Sequence, residues 1–475
     1  MAPEHPRTFG GGPAETTLNP FVLVATIIAI VLILVLPRKY VLMPMLLITF
    51  LVPLGPAVVL GGTHFFVSRI IILVGLMRVV VSKFKGTLAR GYNSIDSALL
   101  WCYTWQTLAT ILLFADMSAV INQFGSLIDA LGAYFIMRCL IRDESDIYFT
   151  LKIFALVSVI VAAGMVAEQI TLVNMFSFVG GSHLTPEIRD GKIRSQGVFL
   201  HPLLAGSFGG TLLPLFLLLW KNSKAKLAGA LGIIGATVMT FTANSSTPLL
   251  AYVAGLLAVF LWAIRKRMRT VRWGIVAALI LLSLVMKAPV WFIIGHVDLT
   301  GSSSSYHRAE IVDQFMRHIS DWWLIGVKDT GTWGWGIWDT QNEYVTMGES
   351  GGLASLIFFI AGISRSFGRL GRARQSVEGD RKQEVCLWFL GAALFAHVVG
   401  FFGVNYFDQS RVNWFALLAM ISAVTDAILT RKETKQPEQQ AYPALRATLP
   451  FHGIGNLRQH LLEGKAGLWL YIACR

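Results

Sequence analysis

The sequence predicts an all-α fold, a polytopic transmembrane helical bundle with two long external loops, and three observations carry that expectation. The 475-residue chain is 55% hydrophobic and only 14% charged, with a mean hydropathy of +0.61, whereas soluble domains carry about 25% charge. Its apolar residues fall in blocks of about 17–23 residues, the length that crosses a hydrocarbon core of roughly 30 Å. Backbone groups in lipid must be satisfied within the segment, so such blocks read as helices. The basic residues, finally, gather in alternate connections between blocks.

Residues 1–19 form an N-terminal tail without a basic n-region or a cleavage site, so the first span is expected to be retained. The bundle occupies 20–430, and 431–475 form a tail. About twelve to thirteen spans are expected from the hydropathy pattern. They fall near 20–36, 41–60, 63–81, 97–117, 124–140, 147–168, 204–220, 227–242, 247–264, 273–294, 351–364, 384–404 and 411–428. The connections that carry Arg38 and Lys39, Lys83 to Arg90, Arg138 and Arg142, Lys221 to Lys226, Arg265 to Arg272, Arg365 to Lys382, and Arg431 with Lys432 all fall on one side. By the positive-inside rule that side is the cytoplasm, which puts the C-terminus inside and, with thirteen spans, the N-terminus outside. One early span fewer would place both termini inside.

The net charge of +13 is absorbed by this orientation signal, so no nucleic-acid partner is expected. Cys102, Cys139, Cys386 and Cys474 have no metal-ligand spacing and suggest no disulfide framework. No Walker loop is present, which argues against an ATP-driven pump. No cofactor and no metal is expected.

The side depleted of basic connections carries two long loops, 171–203 and 296–350, and long ordered loops are usually functional. The first contains Arg189, Lys192 and Arg194 within six positions. These residues suit an anion site, because the planar guanidinium fork matches phosphate. A solvated loop touching lipid head groups fits the same residues. The second loop opens on a glycine and serine run, 301–305, expected to be flexible. Ile311, Phe315 and Ile319 then recur every fourth residue, predicting an amphipathic helix with Arg308 near its N-terminal end, where free amides favour anions. Five of the 14 tryptophans follow within 17 residues, Trp322 to Trp338. On composition alone they fit best an interfacial aromatic belt, with a surface on which sugar rings stack as the other reading. Asp339, Glu343 and Glu349 close the loop; each suits a general base, and Asp339 also suits a helix cap. The tail after Thr430 is polar, then mildly apolar over 461–472.

Arg194-Ser195-Gln196-Gly197-Val198-Phe199-Leu200-His201-Pro202, followed by Gly206, resembles the Arg-x-x-Gly-x-Phe-x-His-Pro signature of the O-antigen ligase and polymerase family. Arg308, the Trp-Trp-Leu-Ile-Gly stretch at 322–326 and Gly334-Trp335-Gly336 resemble its second signature. Asn342-Glu343-Tyr344 and Gly351-Gly352-Leu353 are similar to its His-Asn-x-Tyr and closing Gly-x-x-Gly pattern. The resemblance implies a metal-independent glycosyltransferase of the bacterial inner membrane. Such an enzyme takes a glycan from an undecaprenyl diphosphate carrier at the external face and transfers it to a sugar hydroxyl on a growing polysaccharide or a lipid-linked glycan.

The family's two diphosphate-holding arginines map to Arg194 and Arg308, with Lys192 beside them. Trp333, Trp335, Asn342 and Tyr344 are then expected to bind sugar. The chain departs from the family where its ligases have a catalytic His, because Gln341 stands there and cannot abstract a proton. Either Asp339 or Glu343 takes the role, or the chemistry differs. The Trp-Asp-x-x-Asn-x-Tyr pattern here is nearest to exopolysaccharide-polymerase-type relatives, which favours polymerase over lipid A-core ligase. Other polysaccharide-assembly proteins are possible partners. Two rival classes stand beside this reading. A lipid-linked sugar transporter would need paired ionisable groups near mid-membrane; candidates such as Asp116, Lys152 and Glu168 lie mostly toward span ends. A non-catalytic assembly scaffold is the other, and Gln341 keeps it open.

Overall fold

The structure is a computed structural model that describes residues 9, 16–60, 63–82, 88, 90–296, 304–407 and 409–447. The chain divides into a unit over residues 1–428 and a second over 429–475. In the second, the described residues, to 447, are helical. The 461–472 stretch and the 301–303 part of the glycine and serine run lie outside the described residues.

The protein is 77% helical with almost no sheet, and among the described residues nine helices are long and apolar enough to cross a membrane. It is a multi-pass membrane protein of the all-α class. The difference from thirteen blocks lies mostly in the first third of the chain. Pro37 ends the Pro20–Val35 helix and starts Arg38–Leu51. The next two expected spans, 41–60 and 63–81, include residues that instead pair as antiparallel strands, Ala57–Leu60 with Thr63–Phe66. β-branched and aromatic residues favour that pairing, and it leaves Val67–Val81 short. Further on, the two blocks expected at 247–264 and 273–294 lie in one helical stretch, Ser246–Val285, bent at Ile264. Its second half, Met268–Val285, has no buried residue.

The Pro202–Lys221 helix forms the centre of the bundle and is buried along nearly its whole length. It packs against Lys226–Thr242, Ser246–Phe260 and Arg381–Gly400, while Ser94–Phe114 pairs with Glu343–Ser376. At the N-terminal end of Ser94–Phe114, Asn93 and Asp96 form a reciprocal capping box. There fully buried Arg138 lies between Asp96 and Asp426, and Arg369 also binds Asp426. At the other end of the same helix, Thr110 donates to the Ser350 carbonyl (2.8 Å) and Trp105 to that of Gly351 (2.8 Å). Glu343–Ser376 is broken at that point, at Gly351 and Gly352. These two side chains satisfy carbonyls that the break would otherwise strand in an apolar setting. The second loop seats on the same break through Leu353 N to Trp323 O (2.8 Å) and Val327 N to Glu349 O (2.9 Å).

Candidate functional site

The first long loop ends in a hairpin, Glu187–Arg189 paired with Lys192–Arg194. Asp190 and Gly191 turn it with φ of 51° and 73°, the geometry for which Asp-Gly is the preferred pair. That dipeptide is the sequence signal for the hairpin. Beyond it the chain is clamped to helix ends. Gln169 Nε2 donates to Ile193 O (3.0 Å) and Thr242 O (2.8 Å), and Ser195 N donates to Thr242 O (3.1 Å). Buried Glu168 accepts from Gly197 N (2.9 Å) and Gln196 N (3.2 Å). Glu168 therefore anchors the loop to a span end. Gly197 has φ of 58°, and a Cβ there would lie 3.0 Å from Met165 Cγ, so only glycine fits without strain. His201 then caps the central helix, its Nδ1 accepting from Leu203 N (3.1 Å), with Pro202 in the first turn. Phe199 packs on Phe208. The Gly-x-Phe-x-His-Pro run thus folds as turn, anchor and helix start.

The second loop contributes the Ser304–Arg317 helix. Ile311 and Phe315 are buried as the periodicity predicts, but Ile319 is exposed and begins a separate short helix, Ile319–Trp322. Arg308 is the fifth residue of Ser304–Arg317, just past the free amides rather than among them.

The two loops meet. Arg194, Lys192 and Arg308 line one cavity of about 160 Å³ together with Arg189, His201 and Gln341. Four cationic side chains line it against two carboxylates, Glu187 and Asp190. Arg194 and Arg308 are 5% and 7% exposed, so both charges act where water screens them poorly. Arg194 Nη1 donates to Glu187 Oε1 (2.7 Å), whereas its Nε is buried with no hydrogen-bond partner among the described residues. Burial pulls the Arg194 guanidinium below its ordinary range, with the Glu187 carboxylate opposing. Burial, then the charge of Arg194, lowers His201 as well, in keeping with an Nδ1 that accepts.

This arrangement has a pH consequence. An anion placed beside His201 raises its proton affinity, so binding takes up a proton between the low value of the empty site and the higher value of the filled one. Relative to His201→Gln, the pyrophosphate affinity of the unaltered protein is therefore expected to rise as pH falls below neutrality, by at most about tenfold per pH unit for one coupled proton. Calorimetric titration at several pH values, with His201→Gln for comparison, checks this; equal pH dependence in both proteins would remove His201 from the site.

Asp339 lines a second, adjoining cavity of about 320 Å³, with Trp338, Glu349 and Arg411. Gln341 joins the two, lining the first cavity and donating through Nε2 to Asp339 Oδ2 (2.7 Å). Its φ of 37° is unusual for a non-glycine residue, and such strain gathers at functional sites. Asp339 is thus tied through the Gln341 side chain to the cavity that the arginines line.

The other residues expected at the site lie elsewhere. Glu343 is buried and accepts from Tyr406 N (2.6 Å). Asn342 caps the following helix, accepting from Tyr344 N (3.0 Å) and Val345 N (3.2 Å). Tyr344 donates to Val398 O (3.0 Å) and packs on Phe402. Trp333 belongs to an apolar cluster with Ile311, Phe315 and Trp322 and stacks on His318, so its face is covered. Trp335 is 82% exposed and lines neither cavity. Among the loop indoles it is Trp338 that reaches the second cavity. Glu349, one of the three carboxylates expected as a general base, lines the second cavity, whereas Glu187 and Arg411 are absent from the residues that the sequence suggests for the site. Arg411 stands at the start of the last expected span, where nothing marks it as a site residue, and Glu187 carries no spacing that marks it.

Searched against models of known protein families, the sequence matches none, and comparison with curated proteins finds no match.

Proposed function

We propose that the chain is a glycosyltransferase of the O-antigen ligase and polymerase type, acting on a glycan carried by undecaprenyl diphosphate at the external face of a bacterial inner membrane, with its C-terminus cytoplasmic. The observation that carries this reading is that Arg194 and Arg308, far apart in sequence and both buried, line one cavity, which Gln341 links to Asp339. In the reaction, Asp339 accepts the proton of the acceptor hydroxyl. The hydroxyl oxygen forms a bond to the anomeric carbon, and the bond from that carbon to the diphosphate oxygen breaks. The electron pair leaves on the diphosphate, whose developing charge the two guanidinium groups stabilise. The reaction uses neither a metal ion nor a cofactor. Polymerisation of a polysaccharide is favoured over transfer to a lipid A-core, as Gln341 replaces the ligase histidine. Glu168, a candidate for transport through the span, is instead committed to backbone amides, which favours the enzyme over the transporter.

The test is reconstitution in vesicles with a lipid-diphosphate oligosaccharide and a sugar acceptor. Release of free carrier diphosphate, dependent on the acceptor, is expected. Movement of intact lipid-linked glycan without that release would instead support a transporter, and neither event would leave a scaffold.

A further inference from the structure

A third cavity, of about 220 Å³, lies beside the one that holds Asp339, and the two share Ser126 and Arg411. We infer that it is a second sugar subsite, holding the acceptor residue next to the one that attacks, so that the acceptor is an oligosaccharide or polymer rather than a single sugar. The inference rests on the glycosyltransferase reading and specifies its substrate class.

Three features of the cavity point to a neutral polyhydroxylated ligand. Gln409 lines it and is 4% exposed. Its Nε2 donates to Val52 O (3.1 Å), but its Oε1 is buried with no hydrogen-bond partner among the described residues. A buried amide oxygen without a donor is costly, and a sugar hydroxyl supplies that donor where an acyl chain would not. Arg69 and Asp129 also line the cavity, already paired to each other through Arg69 Nε to Asp129 Oδ1 (3.0 Å) and Nη2 to Oδ2 (2.6 Å). Their charges cancel while donor and acceptor edges remain, an arrangement that suits hydroxyls better than a phosphate. Asp129 projects from a π-helical turn, Ile128–Gly132, an irregularity that frequently marks functional sites. Phe66 and Phe407 complete the wall and offer apolar surface to a sugar ring.

The continuity of the two cavities sets the geometry. A chain whose terminal sugar lies over Asp339 extends past Arg411 and Ser126, so its second residue meets Gln409, Arg69 and Asp129.

The experiment uses the full-length protein in vesicles with the lipid-linked donor. Acceptors are the terminal monosaccharide and the terminal disaccharide prepared from the oligosaccharide that mild acid releases from that donor. The KM for the disaccharide is expected to be at least about tenfold below that for the monosaccharide. Gln409→Leu, which removes the orphan acceptor, is expected to shrink that ratio by about fivefold. Asn122→Trp provides a second variant, because Asn122 is exposed on the rim of the cavity and an indole there obstructs it without disturbing the core. Equal KM values for the two acceptors, or a ratio that both variants leave unchanged, would overturn the subsite. Absence of carrier-diphosphate release with either acceptor would defeat the glycosyltransferase reading and the subsite with it. Turnover without a length preference defeats the subsite alone.

Discussion

Arg308→Ala is expected to lower acceptor-dependent release of carrier diphosphate by about 10²–10³-fold, the usual loss when one preorganised donor to a developing anion is removed. Arg308 is almost wholly buried, and the chain is shaped around it: a Cβ on Gly403 would lie 3.1 Å from its Nε. Arg308→Lys keeps a charge but loses the planar fork, so it is expected to recover only part of the rate. Arg194→Ala should match it in size, but that change also strips Glu187 of its partner at 2.7 Å. The double variant Arg194→Ala with Glu187→Gln separates the two effects: if diphosphate contact is what matters, removing the leftover carboxylate will not restore the rate. Donor affinity should fall less than turnover, because the charge on the bridging oxygen is greatest as the bond breaks. Initial rates at equal protein in the vesicles, with the helical content of each variant compared, measure this. Normal turnover in both arginine variants would end the diphosphate role.

The fold class was readable because membrane burial writes itself into composition and block length, which need no tertiary information. The failures occurred where local sequence was ambiguous. Val58, Val59, Phe65 and Phe66 are as apolar as a span, yet they pair as strands, and period alone does not separate a short buried helix from a strand. Arg194 stands out as one of three cations in a loop on the side expected to be depleted of them, whereas Arg308 is marked by its predicted helix and by the family resemblance. Trp333 and Tyr344 were misplaced, since an aromatic residue reads the same whether it stacks on a ligand or, like Trp333, on His318. Glu187 and Gln409 were invisible: one acts by facing Arg194, the other by an unmet hydrogen bond, and neither relation exists until the chain is folded. Glu168 read as a span-end carboxylate, and only its two backbone donors reveal it as the anchor of the arginine loop.

Asp339→Asn is expected to reduce turnover by about 10²–10⁴-fold, the range for loss of a general base, while leaving binding of the lipid-diphosphate donor close to that of the unaltered protein. The substitution preserves shape, and an asparagine oxygen still accepts from Gln341 Nε2, so the local fold has no reason to change. Glu349 is the other carboxylate on the same cavity, but it is buried and Thr340 Oγ1 donates to it (3.3 Å) at the start of the broken helix. Glu349→Gln should therefore cost more in stability than in the chemical step. Glu343→Gln should leave donor binding intact, since Glu343 lines none of the three cavities and is held by Tyr406 N. If Gln341, which donates to Asp339 and cannot itself accept a proton, orients the proposed base, Gln341→Ala is expected to lower turnover by about tenfold, less than loss of the base. Single-turnover rates with donor prebound separate chemistry from binding. If Asp339→Asn turns over at the wild-type rate while Glu349→Gln does not, proton abstraction belongs to Glu349, and Gln341 has been orienting the wrong carboxylate.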